Sequence, residues 1–293
     1  MKDKNILIVN EKDFLKKKKG IVDGGARNLH VLSDFDQTLT QGIVKGEKSA
    51  SVIAQIRNGN YLNPDYVNKA HDLFDIYHPI EIDPNISMDV KIDKMHEWWE
   101  KHFGLLIESG LTYDVILDVA KNRPLKFRKK SIELLDTLYK NNIPFVIISA
   151  SMGDIIKEYL LNIKKMYNNI CLISNFLKFD KSGKMIEAIE PIIHTFNKNE
   201  IVIKDLQIHK ELLKRKNVIL LGDNLDDVLM IEGFSCDNLI KIGFLNENVS
   251  ENLSEFKKDY DVIILNDIGM EFVYDLVEEI IKGEKLNFIK GNE

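Results

Sequence analysis

The sequence predicts a doubly wound α/β fold, a parallel sheet wrapped by helices, with a helical lobe inserted after its first strand. Three observations lead there. Five short apolar runs, Leu29–Ser33, Pro144–Ser149, Val218–Leu221, Leu239–Phe244 and Val262–Leu265, are continuous rather than alternating. That is how strands buried on both faces read. Helical stretches lie between them, among them Arg128–Asn141, Met152–Lys165 and Asp227–Phe234, and strands alternating with helices imply a doubly wound sheet. Finally, acids and hydroxyls collect where the runs stop: Asp34 and Asp36 after the first, Ser149 at the second, Asp223 after the third. In open α/β sheets the ligand crevice lies beyond the carboxyl ends of the strands, so residues far apart in sequence converge on one site.

Each element follows in order. The segment Met1–Asn10 has a short apolar patch, Ile6–Val9, and no signal-peptide pattern. The basic run Lys16–Lys19, and the looser group Lys126, Arg128, Lys129 and Lys130, read as solvated helix faces. The gap between the first two strands is too long for one crossover. Tyr66–Ile76 and Asp89–Phe103, the second holding Trp98 and Trp99, space their apolar residues as helices do. The expected division is a core of residues 1–44 and 127–293 and a helical cap of residues 45–126 sitting over the strand ends. Within Ile170–His194 the turn Lys181-Ser182-Gly183, flanked by strand-like segments, predicts a β-hairpin.

Composition narrows the function classes. The chain has 293 residues, 44% of them hydrophobic, which is enough for a sizeable core. The formal net charge of -6, with no basic stripe, argues against a nucleic-acid partner. The two cysteines, Cys171 and Cys236, form no disulfide framework or metal-type pair and read as buried thiols. No apolar run reaches membrane-spanning length. A cytoplasmic monomer with no membrane partner is expected.

The chemistry begins at Asp34-Phe35-Asp36-Gln37-Thr38-Leu39-Thr40. Two carboxylates one residue apart after a buried strand would repel along a shared face. A divalent cation resolves that repulsion, and magnesium takes such hard oxygen ligands together with substrate phosphate. Asp34 is then placed to attack phosphorus, and Asp36 to protonate the leaving oxygen and later deprotonate water. Ser149-Ala150-Ser151, entering a helix, offers a hydroxyl and backbone N–H groups suited to a phosphate oxygen, or simply an N-cap. Lys198, in Phe196-Asn197-Lys198, is a candidate to neutralise charge between carboxylate and phosphate. In Gly222-Asp223-Asn224-Leu225-Asp226-Asp227, Asp227 lies one helical turn beyond Asp223, and the pair is suited to complete a metal site or to favour a helix N-terminus.

These four elements, in this order, resemble the haloacid dehalogenase superfamily of phosphohydrolases. Nearly the whole chain is similar to the cytosolic 5'-nucleotidase III (pyrimidine 5'-nucleotidase) family. Pro79-Ile80-Glu81-Ile82-Asp83-Pro84 and Glu97-Trp98-Trp99 carry the family-level likeness, with Ser174-Asn175-Phe176 and Lys241-Ile242-Gly243-Phe244-Leu245-Asn246. The resemblance implies a magnesium-dependent 5'-nucleotidase releasing nucleoside and phosphate from a nucleoside 5'-monophosphate such as UMP or CMP. It implies Asp34 as nucleophile, Asp36 as proton donor, and magnesium on Asp34, the Asp36 carbonyl and Asp223, supported by Asp227. Ser149, Ala150 and Lys198 would hold the phosphate, and Glu81 the base. His102 stands where relatives carry a small residue near the base; it is taken as a base-pocket candidate or a packing histidine. Ser49-Ala50-Ser51-Val52-Ile53 lacks the expected stacking aromatic, and Thr40-Gln41-Gly42, Ser151 and Asp226 also depart from the family pattern. The alternatives are purine, methylated-purine or other phosphate esters, transfer to a second nucleoside, and a non-catalytic nucleotide-binding protein.

Overall fold

The computed structural model describes residues 4–123, 125–198, 209–233 and 235–290. In chain order, β1 (Ile6–Ile8), α1 (Glu11–Gly24) and β2 (Leu29–Ser33) come first. A small hairpin follows, β3 (Ile43–Val44) and β4 (Glu47–Lys48), and then four helices: α2 (Val52–Asn58), α3 (Tyr66–Ile82), α4 (Met88–Glu108) and α5 (Tyr113–Asn122). The chain continues through α6 (Ser131–Lys140), β5 (Phe145–Met152), α7 (Gly153–Asn162) and β6 (Ile170–Asn175) to a second hairpin, β7 (Leu177–Phe179) and β8 (Met185–Ala188). It closes with α8 (His209–Leu212), β9 (Asn217–Gly222), β10 (Asn238–Leu245), α9 (Val249–Asp259), β11 (Val262–Leu265) and α10 (Glu271–Lys290).

The main sheet has seven strands in the order β1-β11-β10-β9-β2-β5-β6. All neighbours pair in parallel except β1, which runs antiparallel to β11. Every expected strand is present. All residues of β2 and β9 are buried, which is why both read as unbroken apolar runs. Two apolar layers flank the sheet: Val31, Phe35, Ile147, Ile219 and Leu221 belong to one, Leu32, Val146, Ile148 and Leu220 to the other. Alternate residues of one strand therefore serve opposite faces. The site-bearing ends of β2, β5 and β9 lie side by side at the centre of the sheet.

Four expectations need correction. The second strand extends past Ser149 to Met152. The expected helix Asp227–Phe234 is a 3-10 helix over Leu225–Ile231, and Phe234 lies outside the described residues. Its tight start has a cause: Asp227 accepts from the N–H groups of Asp223 and Asn224, both at 3.0 Å. The group Lys126–Lys130 is not a uniformly solvated face, because Arg128 is buried. The cysteines are unpaired but only half-buried. Among the described residues no helix is long and apolar enough to cross a membrane.

Candidate active site

Strand β2 delivers Asp34 directly at its end, where Asp34 N–H donates to the Leu221 carbonyl of β9 at 3.0 Å. That bond fixes Asp34 against the strand that carries Asp223. Asp34, Asp223 and Asp227 each offer a carboxylate oxygen, all within 4.8 Å of one another. Lys198 donates to Asp34 Oδ1 at 2.7 Å and to Asp227 Oδ1 at 2.9 Å. Thr38 Oγ1 donates to Asp223 Oδ1 at 3.1 Å. Three carboxylates facing one ammonium leave two negative charges unbalanced. The donor set is hard oxygen throughout, so the residues fit a divalent cation such as magnesium.

The electrostatics follow from that crowding. Burial pushes Asp34 up to about 7, against the pull of Lys198. Burial and the neighbouring carboxylates of Asp34 and Asp227 hold Asp223 well above the usual range. Lys198 is desolvated, yet the attraction of Asp227 and Asp34 outweighs this and keeps it protonated. Asp227 has one oxygen on two backbone N–H groups and the other on Lys198. It therefore orients the lysine while closing the Asp223 turn.

Asp36 faces a different way. Its carboxylate accepts from Val52 N–H at 3.1 and 3.2 Å, at the start of α2. Among the described residues it is not one of the clustered carboxylates. Burial pushes it up to about 6. Ser149 is buried, and its hydroxyl accepts from Ser151 N–H at 3.2 Å. Ser151 Oγ in turn accepts from Ile53 N–H at 3.2 Å. Both β2 and β5 are thus tied to α2 at the strand ends.

Beside these groups lies a cavity of about 220 Å³. Its walls come from α2, α3 and α4, with Ala150 and Thr195 closing the side toward the sheet. Glu81 lines it, accepting from Thr195 Oγ1 at 2.7 Å and meeting His78 Nδ1 at 3.0 Å. His102 lines it too, with Nε2 3.2 Å from Tyr66 Oη, and burial pushes its imidazole down to about 4. Phe74, Trp98 and Trp99 supply aromatic surface.

The structure thus brings Asp34, Lys198, Asp223 and Asp227 into one cluster and sets Glu81, His102 and Ala150 around one cavity. Sequence reasoning missed Thr195 and Arg57 in that cavity and the buried Arg128 behind the Asp34 loop. Thr195 stood beside Phe196-Asn197-Lys198, yet its partner Glu81 is 114 residues away. Arg128 had no local signal, being one of several basic residues before α6.

Residues 37–281 match the pyrimidine 5'-nucleotidase (UMPH-1) family. The chain belongs to that family. It is a 5'-nucleotidase with a haloacid dehalogenase fold. A 7-methylguanosine phosphate-specific 5'-nucleotidase A of Xenopus laevis is 36% identical over 256 residues, covering 87% of this chain and 88% of the relative. A human 7-methylguanosine phosphate-specific 5'-nucleotidase is 33% identical over 259 residues, covering 88% and 86%. Among solved structures, a cytosolic 5'-nucleotidase IIIB bound to cytidine superposes with a TM-score of 0.89 at 26% identity, covering 97% of this chain and 96% of that one. An apo phosphoserine phosphatase, at TM-score 0.52 and 16% identity, shares the fold.

Proposed function

We propose that this nucleotidase is magnesium-dependent, forms an aspartyl-phosphate on Asp34, and hydrolyses pyrimidine nucleoside 5'-monophosphates, UMP and CMP. The observation that carries this reading is the cluster of Asp34, Asp223, Asp227 and Lys198 opening beside the Glu81 cavity. Asp34, the Asp36 carbonyl and Asp223 would hold a divalent ion, which would supply charge neutralisation for the phosphate when bound. Lys198, with Ser149 and Ala150, holds the phosphate oxygens. Asp34 Oδ attacks phosphorus, the bond to the ribose 5' oxygen breaks, and Asp36 gives that oxygen its proton. Water then attacks phosphorus and gives a proton to Asp36, and the bond between Asp34 Oδ and phosphorus breaks, releasing phosphate and restoring both carboxyl groups. Asp36 is suited to this shuttle because burial raises it toward the working range of such acids.

Residues 45–126 act as a cap that carries the base site, and Glu81 accepts hydrogen bonds from base N–H groups. The cytosolic naming of the structural relative supports a cytoplasmic enzyme.

A second reading is favoured by the relatives' names and by the lining of Phe74, Trp98 and Trp99: hydrolysis of 7-methylguanosine monophosphate. Its positively charged ring would suit aromatic faces and a carboxylate. Phosphate release from a panel of nucleoside monophosphates, with magnesium and with EDTA, tests both. Release from UMP and CMP above the methylated purine supports the first reading. The reverse order supports the second. Release from neither removes both.

A further inference from the structure

The cavity carries a second charged group that no assigned role uses. Arg57 lines it from α2, on the face that also presents Ile53 and Ala54. Those positions share one side of a helix. Arg57 Nε is buried and has no hydrogen-bond partner. A guanidinium held in a cavity with an unsatisfied donor is costly unless a ligand meets it. The only carboxylate lining the cavity, among the described residues, is Glu81, and it is engaged by Thr195 and His78.

The two charges stand at opposite ends. Arg57 lies by Tyr66 and His102, and its positive charge helps burial keep His102 neutral. Tyr66 sits at the start of α3, while Glu81 sits at its end. The cavity touches α3 at Ala70, Phe74 and Glu81. Ala70 and Glu81 are about 16 Å apart along a helix. The pocket is therefore bipolar, with a donor-accepting carboxylate at one end and an acceptor-seeking guanidinium at the other.

Resting on the nucleotidase reading above, we propose that Arg57 is a specificity-determining residue: it donates to a carbonyl acceptor of the nucleobase and disfavours a positively charged base. A neutral base with a ring N–H or amino group and a carbonyl satisfies both ends of the pocket. Uracil and cytosine have these groups. 7-Methylguanine brings a carbonyl but also a positive charge toward the guanidinium. The same helix that holds Asp36 through Val52 N–H thus reads the base through Arg57.

The test compares wild type, Arg57→Leu, Arg57→Gln and Arg57→Lys on UMP, CMP and 7-methylguanosine monophosphate, with kcat and KM separated. Losing a charged hydrogen bond corresponds to a change of roughly tenfold or more. Arg57→Leu and Arg57→Gln are expected to shift the kcat/KM ratio of UMP to the methylated purine down by about that factor, through KM. Arg57→Lys keeps the charge and so keeps the discrimination against the cationic base. An equal loss on all three substrates, or an unchanged kcat/KM ratio between UMP and the methylated purine, overturns the proposal, since a packing role predicts one or the other. If wild type releases phosphate from none of them, the nucleotidase reading of these substrates fails. In that event calorimetric binding of uridine and of 7-methylguanosine to wild type and Arg57→Gln still decides the role of Arg57. Equal affinities in the two proteins overturn it.

Discussion

Replacing Arg128 with Met is expected to be the most damaging single change away from the reacting groups. The Arg128 side chain is fully buried. Its Nε donates to the Thr38 carbonyl at 2.8 Å, Nη1 to the Ile268 carbonyl at 2.7 Å, and Nη2 to the Gln37 carbonyl at 2.5 Å and to Asn246 Oδ1 at 2.6 Å. Nη1 also pairs with Asp267 Oδ1 at 2.9 Å, and the guanidinium sits 4.5 Å from the centre of the Phe244 ring. Both Gln37 and Asp267 have positive φ, at 56° and 52°. Such backbone persists in non-glycine residues only where surroundings hold it. Methionine fills similar space and supplies no donor. Removing one partner of a buried ion pair costs about 3–5 kcal/mol. Each orphaned acceptor adds up to about 1–3 kcal/mol, not additively. Asp267 keeps the Gly42 and Ile43 N–H groups at 2.8 and 2.9 Å, which moderates the total. The expected loss is therefore about 3–5 kcal/mol. Urea unfolding measures it, and turnover should fall as well, because Gln37 and Thr38 belong to the loop that follows Asp34 and Asp36. Arg128→Lys keeps the charge without the planar fork and should land between. A loss below about 1 kcal/mol, the size of an ordinary substitution, would refute the reasoning.

Other outcomes follow from the same geometry. Glu81→Ala should change the substrate ranking more than kcat, by roughly tenfold in KM; an unchanged ranking measured across the nucleotide panel would remove Glu81 from base reading. Magnesium should raise the unfolding midpoint of wild type in proportion to its binding, and Asp223→Asn should lose most of that rise in calorimetry. In EDTA, Asp36→Asn should be more stable than wild type near pH 7. Folding raises Asp36 to about 6, so the folded state binds more protons than the unfolded one between roughly pH 4 and 6 and loses stability as pH rises through that window. The advantage of Asp36→Asn should thus fade as pH is lowered toward 4, and a gain that grows on acidification would contradict the sign.

The parts legible in the sequence were those encoded locally. Strands β2, β5, β9, β10 and β11 read as short, predominantly apolar runs because parallel strands at the middle of a sheet are largely covered on both faces, with half-buried Lys241 interrupting β10. β1 is a three-residue, half-buried edge strand and carries no such signal. Asp34 and Asp223 were visible as acids at strand ends, where topology forces convergence, and Asp227 as an acid one turn beyond Asp223. The 3-10 turn was not visible, since it depends on Asp227 accepting from two backbone N–H groups. Arg128 looked like one more surface cation; its burial is set by carbonyls of Gln37, Thr38 and Ile268, up to 140 residues away. Arg57 was silent for a related reason. Its meaning lies in what it lacks, a partner at Nε, inside a cavity assembled from five separate stretches of chain.

The central claim is that Asp34 carries the phosphoryl group. It is tested by quenching wild type and Asp34→Asn in acid during turnover of UMP or CMP with magnesium, then mapping phosphoryl groups on the peptides by mass spectrometry. The account predicts a phosphoryl group on the wild-type peptide that contains Asp34, none in Asp34→Asn, and a turnover loss in that variant of roughly 10⁴-fold or more, as when a nucleophile is removed. Unlabelled wild-type peptide under rapid turnover, with Asp34→Asn still releasing phosphate at a comparable rate, would contradict it.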